Sequence, residues 1–335
     1  MKKLLYIGNK LAQHGATPTT IDTLGPLFEK EGYSVKYAST YSTKVWRLAD
    51  MVGQVFRNRD NVDYVLIDTY STSNFWYAVL VGQFCRMLSL NYIPLLHGGN
   101  LPKRLEQNPK WCQSFFGRAH RIVAPSKYLL AAFESKGFRC EPIPNSIEVN
   151  DYRFQKRESI RPKVLWVRSF AKIYNPRMAV TVFHQLKKEY PDADLCMIGP
   201  DKDGSLVQTQ QYAQELGLTI DFPGMLSKKE WVKRAKEYDV FINTSNFDNM
   251  PVSLIEAMCL GLPVVSTDVG GIPHLIHHGR NGLTVPANDA DAMTAAIRLL
   301  IEDSQQAQAI STAAYLEAQH YDWEYIRDKW FEILQ

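Results

Sequence analysis

Apolar runs of strand length alternate with longer helical patterns along this chain, and the alternation occurs twice. In the first half the predicted strands are residues 4–8, 34–38, 64–68, 92–96 and 121–124, with helical stretches that include 20–31, 74–90 and 127–136. After a polar connection at 150–162, further strands are predicted at 164–168, 195–199, 219–222, 240–243 and 263–267. Such alternation is typical of parallel sheets covered by helices on both faces. The sequence therefore predicts an α/β protein with two doubly wound, Rossmann-like domains.

Length and composition fit a globular protein of that kind. The 335 residues are enough for two domains with substantial cores, and 45% apolar with 22% charged residues is an ordinary balance. The amino-terminal MKKLLYIGNK has an apolar run of only five residues, which predicts a buried strand rather than a signal peptide. No run reaches the roughly 20 apolar residues of a transmembrane helix. The nearest, 74–90, is interrupted by Arg86 and predicts a buried helix.

The cysteines are odd in number and widely scattered. The five are Cys85, Cys112, Cys140, Cys196 and Cys259. This spacing supports neither a disulfide framework nor a zinc site, because both need cysteines in pairs or close clusters. Isolated, reduced cysteines are typical of a cytoplasmic protein.

The net charge of +3 is unevenly divided between the two halves. Residues 1–160 carry 21 Lys/Arg against 13 Asp/Glu, whereas residues 161–335 carry 17 against 22. Within the basic half, segment 101–127 combines six basic residues with Trp111, Phe115 and Phe116. This combination fits contact with an anionic membrane or a lipid-linked acceptor, although burial of the aromatics in a core explains them at least as well. Nucleic acid is not an expected partner, because no recognition motif accompanies the basic residues.

The most informative segment is SNFDNMPVSLIEAMCLGLPVVSTDVGG, residues 245–271. It places Asp248 in a loop, Pro251 at the predicted first position of a helix, and Glu256 five residues later. The N–H groups of residues 252–254 then point out of the helix start and form, with the helix dipole, a seat for a phosphate. Glu256 lies about 7.5 Å further along the helix axis. A ligand whose diphosphate rests on the helix start would reach Glu256 and Asp248 with its two ends, which is the outline of a nucleotide sugar.

This segment resembles the E-x7-E signature of the retaining glycosyltransferases of family 4, also called glycosyl transferases group 1. Asp248 and Glu256 stand at the two acidic positions, and AMCLGLPVVSTDVGGIP (257–273) and NGLTVP (281–286) look like the rest of the signature. The resemblance extends more weakly over nearly the whole chain. It implies the GT-B fold, in which two Rossmann-like domains face a cleft. The implied parts are an acceptor-binding domain at 1–155, a nucleotide-sugar-binding domain at 156–320 and a final helix at 321–335 that crosses back to the first domain.

The resemblance also implies a role for each acid. Glu256 would hold the ribose hydroxyls of the nucleotide, and Asp248 would lie against the donor sugar. The chain departs from the commoner pattern here, because Asp248 is one methylene shorter than the usual Glu and Asn249 replaces the usual Gly. The donor-binding residues implied by this signature and the glycine loop after the first strand are Gly15, Asn249, Met250, Pro251, Val252, Ser253 and Glu256.

Three further side chains join Asp248 as candidate catalytic residues. Arg168 and Lys172 follow the first strand of the second half, where two cations would stabilise the charge on a leaving diphosphate. The family usually spaces this pair five residues apart, whereas here the spacing is four, and ordinary surface charges are the alternative. His97 follows another predicted strand and precedes two glycines, so it would contact a sugar hydroxyl, with a packed core histidine as the alternative. Close approach of Gly15 to the donor competes with an ordinary turn.

The resulting hypothesis is a metal-independent, retaining hexosyltransferase that needs no cofactor beyond its nucleotide diphosphate sugar. Its acceptor would be a glycan or a lipid-linked molecule in cell-surface polysaccharide or glycolipid synthesis, and it would be cytoplasmic, or bound at the cytoplasmic face of a membrane. The Asp201-Lys202-Asp203 spacing of metal-dependent transferases lacks the remaining pattern of that fold. A nucleotide-sugar epimerase and a non-catalytic sugar-nucleotide-binding subunit stay open as alternatives.

Overall fold

The computed structural model describes residues 2–12, 15 and 17–335, which form two compact units. The first contains Met1–Ser146 together with Ile326–Gln335, and the second contains Ile147–Tyr325. The first boundary lies before the position expected from sequence because Ile147, Val149 and Tyr152 are buried in the core of the second unit.

The first unit is built on a six-stranded parallel sheet. Its strands are β1 (Lys3–Ile7), β2 (Ser34–Ala38), β3 (Tyr64–Thr69), β4 (Tyr92–Leu96), β5 (Val123–Ala124) and β6 (Glu141–Pro142). Its helices are α1 (Thr20–Lys30), α2 (Lys44–Asn58), α3 (Asn74–Met87), α4 (Leu101–Gln107), α5 (Pro109–Phe116) and α6 (Lys127–Glu134). The strand order is β2-β1-β3-β4-β5-β6. Every residue of β3 and β4 is buried, as expected for parallel strands with helices on both faces.

The second unit also has a six-stranded parallel sheet. Its strands are β7 (Lys163–Val167), β8 (Asp194–Ile198), β9 (Asp221–Gly224), β10 (Val240–Asn243), β11 (Val264–Thr267) and β12 (Leu283–Val285). Its helices are α7 (Pro176–Glu189), α8 (Ser205–Glu215), α9 (Lys228–Ala235), α10 (Val252–Cys259), α11 (Ala290–Glu302) and α12 (Ser304–Ala318), and the chain continues into α13 (Trp323–Ile333). The strand order is β12-β11-β10-β7-β8-β9.

The structure confirms the predicted fold class and the position of most strands. It adds β6 and β12, which have only two and three residues and therefore leave no apolar run for the sequence to show. The strand predicted at 219–222 begins two residues later, at Asp221. The stretch at 74–90 is a helix, but Trp76, Leu80 and Met87 are exposed, so it is buried on one face only.

Each sheet has a point at which its strand order reverses. In the first unit the reversal falls between β1 and β3, and in the second it falls between β7 and β10. In doubly wound sheets the loops that leave the carboxyl ends of such strands diverge and open a crevice, which is where ligands bind. The residues that follow these four strands are therefore the first place to look for a site.

The segment that follows the second unit belongs to the core of the first. Trp330 packs edge-on against Phe28 with ring centroids 5.3 Å apart, and the Tyr64 hydroxyl donates to the carbonyl of Gln335 at 2.6 Å. The predicted apolar face of this helix is confirmed, since its four members are buried. They are Trp323, Ile326, Trp330 and Ile333.

All five cysteines are buried and free. In the part of the chain that the structure describes, no helix is long and apolar enough to cross a bilayer.

Candidate functional site

Asp248 and Arg168 form an ion pair where the order of the second sheet reverses. Arg168 directly follows β7, and Asp248 lies in the loop between β10 and α10. The Arg168 guanidinium donates from Nη2 to Asp248 Oδ2, which also accepts from the Ser245 hydroxyl at 3.3 Å. The N–H of Asn249 donates to Asp248 Oδ1 at 2.9 Å. The carboxylate is thus held at both oxygens, and the side chains of this pair are only 18% and 11% exposed.

Two glycines after β11 support the loop that carries Asp248. The N–H of Gly271 donates to the Asp248 carbonyl at 3.0 Å. A Cβ on Gly270 would overlap that same carbonyl oxygen, and a Cβ on Gly271 would overlap the carbonyl oxygen of Asn249. Glycine is therefore needed at both positions, because the two backbones touch without room for a side chain.

Arg168 is fixed by an aromatic ring and by a third glycine. Its guanidinium carbon lies 4.3 Å from the ring centroid of Tyr174, within the range of a cation–π interaction. Gly199, after β8, is packed so tightly that a Cβ there would overlap the Arg168 carbonyl. Burial lowers the pKa of Arg168, an effect that the adjacent Tyr174 opposes. Within the described residues the buried Nε of Arg168 has no hydrogen-bond partner.

Lys172 is held by its backbone, and its side chain reaches solvent. It begins a 3-10 turn, Lys172–Tyr174, and its N–H donates to Asp203 Oδ2 at 3.0 Å. The Asp203 carboxylate also accepts hydrogen bonds from the hydroxyl and the N–H of Ser205. The hydrogen bonds from Ser205 and from the Lys172 backbone lower the pKa of Asp203. Asp201 accepts from the N–H of Gly204 at 3.0 Å. The Asp-x-Asp spacing seen in the sequence therefore organises the turn before α8.

Glu256 lies on α10 and accepts a hydrogen bond from the hydroxyl of Tyr152 at Oε1. The side chain is partly buried. Burial raises the pKa of Glu256 to about 7, and the Tyr152 hydrogen bond and the positive charge of Lys228 limit this rise. Glu256 could be predicted as a site residue from the sequence but Tyr152 could not, because the two residues are 104 positions apart in the chain.

The prediction that α10 starts at Pro251 was wrong by one residue. Pro251 has an extended backbone (ψ 115°) and caps the helix, which begins at Val252. Its carbonyl accepts from the N–H of Leu254 at 3.1 Å, so that N–H is not available to a ligand. The N–H groups of Val252 and Ser253 remain in the first turn, where a helix offers no internal acceptor. Between them and Asp248, the side chains of Asn249 and Met250 are buried, which leaves the backbone to line the loop.

His97 belongs to a hydrogen-bonded group in the first unit. Its Nε2 lies 2.8 Å from Asp68 Oδ1, and its Nδ1 lies 3.4 Å from the Thr20 hydroxyl. Asp68 Oδ1 also accepts from the Tyr6 hydroxyl at 3.1 Å. An ionised carboxylate can only accept hydrogen bonds, so in a neutral ring the hydrogen is on Nε2, which donates to Asp68. Nδ1 then accepts from the Thr20 hydroxyl. The ring is therefore oriented by its neighbours, and its side chain is 10% exposed.

Asp68 belongs to this group but is not among the site residues predicted from the sequence. It is the last residue of a strand predicted to be buried, and its side chain is fully buried. Its Oδ2 has no hydrogen-bond partner among the described residues and faces Gly8, where a Cβ would approach it closely. An acid at the carboxyl end of a predicted buried strand was the available signal, because such an acid needs a partner.

Gly15 lies in the loop after β1 and has a left-handed backbone (φ 76°). Its N–H donates to the carbonyl of Ala12 at 3.0 Å, and a Cβ there would meet nothing within 4 Å. The glycine thus suits a turn for conformational reasons. Its neighbours His14 and Ala16 lie outside the described residues.

The aromatic segment 101–127 is split between core and surface. Phe115 and Phe116 are buried, whereas Trp111 on α5 is 51% exposed and packs edge-on against Trp76 of α3, with ring centroids 5.9 Å apart. On α2, Trp46 is 65% exposed and Val45 is 74% exposed. Apart from residues 1, 13, 14 and 16, which the structure does not describe, no group of three His, Cys, Asp or Glu side chains is arranged to hold a metal ion.

The decisive comparison is with a protein family. The family model for glycosyl transferases group 1 matches residues 149–317, just over half of the chain. The chain belongs to this family. The matched residues include Tyr152, Arg168, Lys172, Asp248 and Glu256 of the second unit.

Two similar proteins are named as a glycosyltransferase of amylovoran biosynthesis and as a mannosyltransferase. The chain is 24% identical over 258 residues to the amylovoran biosynthesis glycosyltransferase AmsK of Erwinia amylovora. The matched region covers 72% of this chain and 63% of AmsK. It is 24% identical over 199 residues to the phosphatidyl-myo-inositol mannosyltransferase of Mycolicibacterium smegmatis. The matched region covers 58% of this chain and 51% of that protein. The chain thus spans less than two thirds of the length of these relatives.

Solved structures share the fold over the full length. The Anabaena protein HepE in complex with UDP and glucose matches with a TM-score of 0.81 at 18% sequence identity, covering 100% of this chain and 99% of HepE. This likeness confirms the GT-B architecture of two Rossmann-like α/β domains.

Proposed function

We propose that this protein transfers a sugar from a nucleotide diphosphate sugar to a glycan or lipid-linked acceptor. The observation that carries the proposal is the grouping in the second unit: the Arg168–Asp248 ion pair lies at the sheet reversal, and a partly buried glutamate follows on the next helix. Relatives named for polysaccharide and lipid glycosylation, and a solved structure named for UDP and glucose, support the same substrate class.

Each side chain of the second unit has a role in this proposal. Glu256 accepts hydrogen bonds from the two ribose hydroxyls, and the N–H groups of Val252 and Ser253 bind the diphosphate. Arg168 and Lys172 stabilise the negative charge that develops on the leaving diphosphate, and Asp248 lies against the donor sugar. Lys172 can move toward the phosphate because its backbone is fixed while its side chain is exposed.

We propose further that the reaction retains the anomeric configuration and uses neither a metal nor a separate cofactor. The incoming acceptor would attack from the face that the diphosphate leaves, and a phosphate oxygen would take its proton. In the first unit, His97 would contact the sugar or the acceptor in an orientation set by Asp68. A covalent glycosyl adduct trapped on Asp248 or Glu256 would contradict this route.

We also propose that the first unit binds the cytoplasmic face of an anionic membrane and receives the acceptor there. The exposed aromatics on α2, α3 and α5 lie on the basic half of the chain, with Lys44 and Lys110 exposed beside them in sequence. Aromatic rings at an interface and cations facing anionic headgroups are the two contributions that bind a protein to such a surface.

Titration calorimetry with UDP, GDP and ADP tests the donor site. We expect one of the three to bind and Glu256→Ala to weaken its affinity by about ten- to hundredfold, because hydrogen bonds to a charged group contribute about 1.5–3 kcal/mol. The matched control is Glu302→Ala, an exposed acid of the same unit, which should bind as the unchanged protein does. Equal binding by the Glu256→Ala protein would refute the assignment.

Two alternatives predict different products from the nucleotide sugar that binds. An epimerase converts the donor when no acceptor is present, whereas a transferase leaves it intact apart from slow hydrolysis. A non-catalytic binding subunit gives no product with any acceptor. Incubation with and without an extract of glycans and glycolipids, followed by chromatography of the nucleotide sugars, separates the three.

A further inference from the structure

Tyr152 reaches the donor-site glutamate from a distant part of the chain. It follows the 3-10 turn Val149–Asp151, and its hydroxyl donates to Oε1 of Glu256, 104 positions later. This hydrogen bond opposes protonation of the Glu256 carboxyl. The neighbours of Glu256 on α10, which are Leu254, Ile255, Ala257 and Met258, are apolar and buried.

The phenol ring is held in place by α9. Lys228 Nζ lies 4.7 Å from the centroid of the Tyr152 ring and 3.1 Å from Asp151 Oδ2, and the Trp231 ring is 6.4 Å away. Tyr152 is only 3% exposed. The ring is therefore anchored from several sides, and its hydroxyl has a fixed direction toward Glu256.

The apolar packing of Tyr152 does not require a hydroxyl. A phenylalanine would fill the same space beside Trp231 and Lys228 and would bury the same ring. The hydroxyl must nevertheless have a partner, because a buried polar group without one is costly. Here that partner is the carboxylate assigned to the ribose, and the hydrogen bond occupies one of its two oxygens.

We propose that Tyr152 is a positioning residue of the donor site, which aims the Glu256 carboxylate so that its remaining lone pairs accept the ribose hydroxyls. This inference rests on the donor site of the proposed function. The two oxygens of a carboxylate offer about four acceptor positions, so the phenol leaves enough for a diol.

The local charges show why such a residue is useful. Burial raises the pKa of Glu256 to about 7, so the protonated and the ionised carboxyl are both populated near neutral pH. The hydrogen bond from Tyr152 opposes this rise because it favours the charged form, and Tyr152 stays protonated since burial raises its own pKa further.

The other groups that face Glu256 leave the tyrosine as its direct partner. Lys228 of α9 contributes a positive charge without a hydrogen bond to the carboxylate. Cys259 stays a neutral thiol, because burial raises its pKa to about 12. The helix α12, which packs on α10, presents Ala314 and Ala318 to the shared core.

The test is the pH dependence of nucleotide affinity in Tyr152→Phe, measured with whichever of UDP, GDP and ADP binds. The ribose needs the ionised carboxylate, so affinity in the unchanged protein should rise with pH through about 7 and then level off. Removing the hydroxyl raises the pKa of Glu256. We therefore expect the midpoint to move about one pH unit higher, with affinity about fivefold weaker at pH 7 and within about threefold of the unchanged protein at pH 9.

The matched control is Tyr212→Phe, which removes a hydroxyl that contacts Thr181 on the neighbouring helix of the same unit. Its pH profile should coincide with that of the unchanged protein. An unchanged midpoint in Tyr152→Phe would overturn the inference. Tighter binding at every pH would overturn it as well, because the phenol would then compete with the ribose. If Glu256→Ala itself binds normally, the donor site fails and not merely the role of Tyr152.

Discussion

The Arg168–Asp248 ion pair explains how an acid shorter than the usual glutamate is kept in a defined position. The Asp248 carboxylate accepts hydrogen bonds from Arg168, from Ser245 and from the N–H of Asn249. The position of the carboxylate is therefore fixed without the longer side chain of a glutamate. The pairing also neutralises a buried guanidinium in the absence of a ligand. The Arg168 guanidinium would therefore be in position before a diphosphate binds, but the diphosphate would compete with Asp248 for it.

Replacing Asp248 by asparagine should destabilise the protein. The change leaves the mostly buried Arg168 without a charge partner, and we expect a loss of about 1–3 kcal/mol in the free energy of unfolding. Urea denaturation followed by circular dichroism measures this. Asp248→Glu, which keeps the charge, is the control and should lose less. Equal stability of Asp248→Asn and the unchanged protein would show that the ion pair contributes nothing.

At this scale the sequence identified acids and cations but not their partners. Arg168, Asp248, Glu256 and His97 follow strands or a helix start, and short motifs give that information. The partners Tyr152 and Asp68 come from elements far away in the chain, so neither motif nor periodicity could connect them to the site.

The Asp248 loop and the loop after β11 act together because their backbones are in contact. Gly271 lies where a side chain would overlap the carbonyl of Asn249, and its backbone is in an ordinary conformation (φ −87°). Its requirement for glycine is therefore purely steric. The segment that resembles the family signature thus includes a glycine that shapes the Asp248 loop.

Gly271→Ala should displace the Asp248 loop. Because backbone atoms cannot yield as a flexible side chain can, we expect a loss of about 1–3 kcal/mol in stability and at least about tenfold weaker nucleotide-sugar binding. Thermal unfolding and calorimetry measure the two effects. The control is Gly53→Ala on α2, where a Cβ meets nothing within 4 Å, and which should be neutral or slightly stabilising. Wild-type behaviour of Gly271→Ala would show that the loops move independently.

Element types were predictable because long parallel strands leave continuous apolar runs. Element ends were not, as Pro251 illustrates: proline fits both the cap and the first turn of a helix, and only the backbone angle decides between them. The short strands β6 and β12 depend on their neighbours in the sheet rather than on their own sequence.

For the molecule as a whole, the exposed aromatic residues and the excess of basic residues both lie in the first half of the chain. This combination is the basis for the proposed membrane contact. Trp46, Trp76 and Trp111 project from three helices of the same unit. Segment 101–127 alone suggested a membrane contact from the sequence, but Phe115 and Phe116 of that segment are buried. Which side chains a helix exposes depends on the elements packed against it, and this part of the prediction therefore required the structure.

Replacing Trp46, Trp76 and Trp111 together by serine should weaken membrane binding. We expect at least about fivefold less protein bound to vesicles of phosphatidylcholine with phosphatidylglycerol, and weaker binding of the unchanged protein at high salt. Co-sedimentation measures both. The control is Leu316→Ser, an exposed apolar residue (60%) of the second unit. Equal binding by the triple variant, or equal binding to vesicles without the anionic lipid, would count against this surface.

The packing of Ile326–Gln335 into the first unit has a consequence for how the protein is made. A ribosome completes the whole second unit before it adds the residues that finish the first. Until then Phe28 lacks the indole of Trp330, and Tyr64 lacks the carbonyl of Gln335. Chains usually fold domain by domain from the amino terminus during synthesis. In this protein the first unit is begun before the second and receives Ile326–Gln335 after it, so a chain interrupted before Ile326 would leave Phe28 without its aromatic partner.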